Sequence, residues 1–106
     1  MLVIAPSAFD YFLQIKTKYP KEDVVITTSS FAEGLKLGKD VDLMLDKGVR
    51  VKAFSHKLIP IPELSDGESE SIYVAKEFEA TLITCDEKTV AFSRREGIRV
   101  LSCNEV

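Results

Sequence analysis

Short aliphatic runs alternate with segments of helical period along almost the whole chain, and no other feature limits its fold as much. The runs are Leu2 to Ala5, Val24 to Thr27, Val49 to Phe54, Ala80 to Thr84 and Ile98 to Leu101. Several are apolar at every position, as strands covered on both faces are. Between them, Phe9, Phe12, Leu13 and Lys16 mark a first helix that Tyr19-Pro20 stops. A second runs from about Phe31 to Leu37 and stops at Gly38; a short third carries Val41, Met44 and Leu45 and stops at Gly48. A fourth carries Ile72, Ala75 and Phe78, and a fifth, from Glu87 to Glu96, ends at Gly97. Pro60 and Pro62 forbid a central strand in the loop between Lys57 and Pro62. Strand and helix in turn predict an α/β sandwich with a mainly parallel sheet. Val49 to Phe54 alternates apolar residues with Arg50 and Lys52, which suits an edge or antiparallel strand as well as a parallel one.

The 106 residues suit a single domain over positions 1–106, and 45% hydrophobic with 29% charged residues excludes a disordered or fibrous chain. No apolar run reaches the roughly 20 residues of a membrane span, and no basic leader precedes the first apolar stretch, so a cytoplasmic chain without membrane contact is expected. Cys85 and Cys103, the only cysteines, are expected as reduced thiols. Two cysteines and the single His56 have no zinc-ligand spacing. A net charge of −3 argues against a protein that coats DNA.

Helices that follow parallel strands begin at the carboxyl edge of the sheet, where open α/β folds place their sites. Asp10, Glu33, Glu68, Glu70 and Asp86 all fall near such beginnings. Side-by-side strands would bring Glu33, Glu68 or Glu70, and Asp86 to one edge, and Mg²⁺ or Mn²⁺ is the natural partner of such a set. A structural reading stands beside this one. Ser7 with Asp10, Ser30 with Glu33 and Ser65 with Glu68 fit capping boxes, Asp86 fits an N-cap, and Glu70 fits a solvated helix face.

The stretch from Gly67 to Ser102 resembles the C-terminal half of PIN domains. It is most similar to the prokaryotic VapC-like subgroup whose fourth helix opens Gly-Glu-x-Glu-x-Ile-x-x-Ala and whose next strand ends in Asp. Here those residues are Gly67, Glu68, Glu70, Ile72, Ala75 and Asp86. The N-terminal half agrees more loosely, through a Ser7-led first helix and a second helix that carries Glu33. The resemblance implies a three-layer α/β/α sandwich and metal-dependent cleavage of RNA. At the end of the first strand, where active members carry an Asp, this chain reads Ala5-Pro6-Ser7. A methyl group binds no cation, so the two-ion arrangement is weakened there. The chain is also shorter than most members, chiefly between the third helix and the Pro60-Pro62 loop.

Two functions follow. The first is a PIN-like domain of reduced or lost nuclease activity that acts as a binding module. Its partners would be RNA, an antitoxin-like protein or a second copy of the chain. Lys47, Arg50, Lys52, His56 and Lys57 form an acid-free basic strip for a phosphate backbone, and Leu58, Ile59 and Ile61 an aliphatic patch. The alternative is an active toxin-type endoribonuclease with Glu33, Glu70 and Asp86 as catalytic residues. Those three and Glu68 would hold Mg²⁺ or Mn²⁺, and Lys88 or Arg94 would lie on the RNA backbone. A phosphoacceptor receiver would need acids after the first strand, and a dinucleotide site needs a Gly-x-Gly-x-x-Gly that is missing.

Overall fold

The computed structural model describes residues Met1–Val106. Five strands, β1 (Leu2–Ile4), β2 (Val24–Thr27), β3 (Arg50–Lys52), β4 (Thr81–Thr84) and β5 (Val100–Ser102), form one sheet in the order β3-β2-β1-β4-β5. Every pairing is parallel. The helices are α1 (Phe12–Lys18), α2 (Thr28–Lys36), α3 (Val41–Asp46), α4 (Asp66–Glu77) and α5 (Glu87–Arg95). Each of the five aliphatic runs therefore holds a strand and each periodic segment a helix. The segment around Val49 to Phe54 resolves as a parallel edge strand, paired through Ile26 and Val51.

Because side chains alternate across a strand, each central strand feeds two cores. Leu2, Ile4 and Ile26 point to one face, where Phe12 and Ile15 of α1 and Val41 and Met44 of α3 cover them. Val3, Val25 and Leu82 point to the other, beneath Ile72, Val74 and Ala75 of α4, with Phe92 of α5 at its margin. The result is a three-layer α/β/α sandwich. No helix is long and apolar enough to cross a membrane.

Two local expectations change. The first helix opens as a 3₁₀ turn over Pro6–Tyr11, without a side-chain cap at Ala5. Ser7 therefore makes no capping box; its hydroxyl meets Thr84 and the Cys85 amide, and Asp10 pairs with Lys39 at 2.9 Å. The cysteines are joined as a Cys85–Cys103 disulfide rather than free. The cause is register: Thr84 pairs with Ser102, so the next residue of each neighbouring strand is a cysteine, with Cα atoms 4.9 Å apart.

Candidate functional site

The chain winds from β1 outward through β2 to β3, then returns to lay β4 and β5 on the other side of β1. The order therefore reverses between β1 and β4, which puts the switch point of the sheet at their carboxyl ends. Ala5 follows β1 there, fully buried, and Thr84 closes β4, also fully buried. Small polar residues draw α2 and α4 together above this edge: Ser30 Oγ donates to the Gly67 carbonyl at 3.1 Å and meets Ser71 Oγ at 3.0 Å. At Gly67 any side chain would strike the Pro6 ring and would lie 2.9 Å from Glu33 Oε1.

Glu68 lies under this contact, only 2% exposed. Thr84 Oγ1 is 2.6 Å from its Oε1, and the Ser7 amide donates to its Oε2 at 3.2 Å. Thr84 Oγ1 also accepts from the Asp86 amide and meets Ser7 Oγ at 3.0 Å, and Ser7 Oγ accepts from the Cys85 amide. A chain of hydroxyls thus runs from the buried acid through Thr84 to exposed Ser7. Burial disfavours the ionised form and raises the Glu68 pKa above its ordinary value, although the Thr84 and Ser7 hydrogen bonds pull the other way.

Two residues along a helix turn its side chains by about 200°, so Glu70 faces away from Glu68, toward β2 and β3. It is 4% exposed, not on a solvated face. Its Oε1 accepts from the Ser29 amide at 2.7 Å and Thr28 Oγ1 at 2.9 Å; its Oε2 accepts from the Phe54 amide at 3.0 Å and Thr28 Oγ1 at 3.1 Å. Burial pushes this carboxyl up, but the Phe54, Ser29 and Thr28 donors outweigh it and leave the pKa below its usual value. Three donors hold the carboxylate: one amide on each oxygen, and the Thr28 hydroxyl shared between the two.

The remaining acids are also engaged. Glu33 makes no box with Ser30, because α2 is capped one turn earlier by Thr27, whose side chain accepts from the Ser30 amide. Instead Glu33 Oε1 accepts from the Gly67 amide and Oε2 from Ser65 Oγ, both at 3.0 Å, holding the start of α4 against α2. Ser65 caps α4 through the Glu68 amide, but Glu68 does not reach back to it. Asp86 is the N-cap of α5, accepting from the Lys88 and Thr89 amides on Oδ1. Lys88 pairs with Glu63 and Arg94 with Glu105.

The expected convergence of Glu33, Glu68, Glu70 and Asp86 on one cation is therefore not what the fold builds. No group of three or more His, Cys, Asp or Glu side chains is placed to hold a metal ion. The acids share the carboxyl edge but spread along it, each bound to its own donors, and the β1 position carries a methyl group. This donor set does not fit a divalent ion. The residues that sequence reasoning passed over are Ser7 and Thr84, whose hydroxyls join β1, α4 and β4. Their signal was a hydroxyl just beyond an aliphatic run, ahead of a helix start.

On the basic strip, Arg50 pairs with Asp23, Lys52 lies 4.9 Å over the Phe78 ring, and His56 meets Phe54 edge-on. Ile59 is exposed, but Ile61 is buried in the core and leaves the aliphatic patch.

An all-parallel five-stranded sheet that winds outward from β1 on both sides, with helices on both faces, defines the open, doubly wound α/β class. The structure is similar to a PilT N-terminus domain protein from the hyperthermophilic archaeon Sulfolobus solfataricus P2. The two are 38% identical with a TM-score of 0.89, over 98% of this chain and 87% of that one. The chain belongs to the PIN (PilT N-terminus) domain family. No family model matches the sequence. No curated protein matches it either.

Proposed function

We propose that this chain is a PIN domain of the VapC-like kind that has lost most or all metal-dependent RNA cleavage and serves as a cytoplasmic binding module. One observation carries the reading. At the switch point Ala5 follows β1, and the neighbouring Glu68 is committed to Thr84 and Ser7 rather than open to a ligand. PIN domains are generally divalent-metal dependent, and here Glu33 and Glu70 have both oxygens bonded to donors. RNA, an antitoxin-like protein or a second copy remain the partners of this reading. A disulfide agrees with a cytoplasmic setting only where cells keep intracellular disulfides, as hyperthermophiles do.

The test is cleavage of a mixed RNA substrate with added Mg²⁺ or Mn²⁺ by the natural chain, Asp86→Asn, Glu70→Gln and Ala5→Asp. The expected result is equal trace cleavage by the natural chain and the first two variants. A natural activity that Asp86→Asn abolishes would establish the alternative, an active endoribonuclease using Glu33, Glu70 and Asp86. What favours that alternative is Asp86 itself, half-buried with Oδ1 alone engaged. Metal binding and cleavage gained only by Ala5→Asp would mark the β1 position as the one that decides activity.

A further inference from the structure

The disulfide has a setting that a purely structural cross-link does not need. Both cysteines are half-buried. Beside them lies an open groove of about 430 Å³, lined by Cys85, Cys103, Glu87, Val90, Arg94 and Asn104 among others. Cys85 lies between Thr84 and Asp86, and its amide donates to Ser7 Oγ at 3.0 Å, so this half is fixed into the switch-point network. Cys103 opens the 3₁₀ turn Cys103–Glu105, which is also held by surface bonds, Glu105 to Ser102 and Arg94 and Lys18 to the Glu105 carbonyl, and by Cys103 and Val106 at the edge of the core. Exposed bonds of that kind are worth little individually. One sulfur is therefore anchored through the switch-point network, and the other sits on a short terminal turn that the cross-link helps to retain.

We propose that this groove is a thiol-exchange site, at which a low-molecular-weight thiolate opens the disulfide and releases the Cys103–Glu105 turn. The thiolate enters beside Arg94 and attacks Cys103 Sγ in line with the S–S bond. A new S–S bond forms between the small thiol and Cys103 while the Cys85–Cys103 bond breaks. The electron pair leaves on Cys85 Sγ, just ahead of α5, where the positive end of a nine-residue helix favours it and the Asp86 cap offsets part of that effect. Solvent then protonates Cys85. A second thiolate attacks the small-thiol sulfur of the mixed disulfide and expels Cys103 as thiolate. The protein disulfide is reduced by two electrons and two small thiols are oxidised to their disulfide. The inference goes beyond the proposed function and holds whether or not the acidic edge cleaves RNA.

The experiment exposes the folded, oxidised chain to reduced glutathione or to 2-mercaptoethanol. Adducts are mapped by peptide mass spectrometry and amide protection is followed by hydrogen exchange. The expected result is reduction without denaturant at a rate proportional to thiol, with the transient adduct on Cys103. Protection should fall in the turn after β5 while the Cys85 amide and β1, β2 and β4 keep theirs. Arg94→Ala should slow the anionic glutathione several-fold more than neutral 2-mercaptoethanol. That comparison cancels any loosening of the turn from loss of the Arg94–Glu105 pair. Reduction that proceeds only at the rate of global unfolding would overturn the proposal, as would an adduct on Cys85 alone or equal effects of Arg94→Ala on both thiols.

Discussion

Replacing Glu70 by Gln tests the acid edge most directly, because the change keeps the shape of the side chain and alters only its charge and one acceptor. In the natural chain the carboxylate takes the Ser29 and Phe54 amides on different oxygens and shares the Thr28 hydroxyl between them. An amide side chain has one acceptor oxygen and one NH₂, so whichever way it turns it sets a donor against the Ser29 or the Phe54 amide. One hydrogen bond to a charged group is lost, worth about 1.5–3 kcal/mol, and the others fall to the neutral value of about 1 kcal/mol. Easier burial of a neutral group offsets part of this, leaving a net destabilisation of about 2–4 kcal/mol in a domain whose whole stability is about 5–15 kcal/mol. Urea unfolding at pH 7 should show a midpoint lower by about 1–2 M with an unchanged slope. The pH dependence has a definite sign. The Glu70 pKa is lowered in the fold, so its contribution is present above the unfolded value near 4.5 and is lost as pH falls through the folded value. The gap between natural and variant chains should therefore close on acidification. A difference under about 0.5 kcal/mol at pH 7, or one that widens toward low pH, would refute the clamp assigned to Glu70.

Glu68 should behave in the opposite way: with its pKa raised, its contribution is present below the unfolded value and fades as pH rises through the folded one. Glu68→Gln, which mimics the protonated acid, should flatten the stability profile on that side and exceed the natural chain at alkaline pH, as read by thermal unfolding across pH. Gly67→Ala forces a Cβ into Pro6 and Glu33 and should cost about 1–3 kcal/mol in urea unfolding, whereas exposed Ala32→Gly tests only local helix propensity. Cys103→Ser removes a cross-link spanning 18 residues and should lower stability by about 3 kcal/mol; strong reductant should bring the natural chain to the same level and leave the variant unmoved.

Strand and helix types were legible because each depends on local pattern: runs such as Val24 to Thr27 suit a strand buried on both sides, and Gly97, at φ 73°, ends α5 where a left-handed residue is needed. The capping boxes were half legible. A serine or threonine three residues before an acid announces a helix start, but which hydroxyl caps it and where the acid turns depend on neighbours brought from elsewhere in the chain. Glu33 illustrates this, since its partners Ser65 and Gly67 belong to α4.

By itself the sequence determined the alternating α/β order, the place of the acids near helix starts and the methyl group at the end of β1, because these follow from residue type and short-range period. Only the tertiary structure decided which donors each acid meets, that Glu68 and Glu70 face opposite ways, and that parallel β4 and β5 bring Cys85 to Cys103. Those outcomes depend on strand order and helix phase, which set distances between residues tens of positions apart.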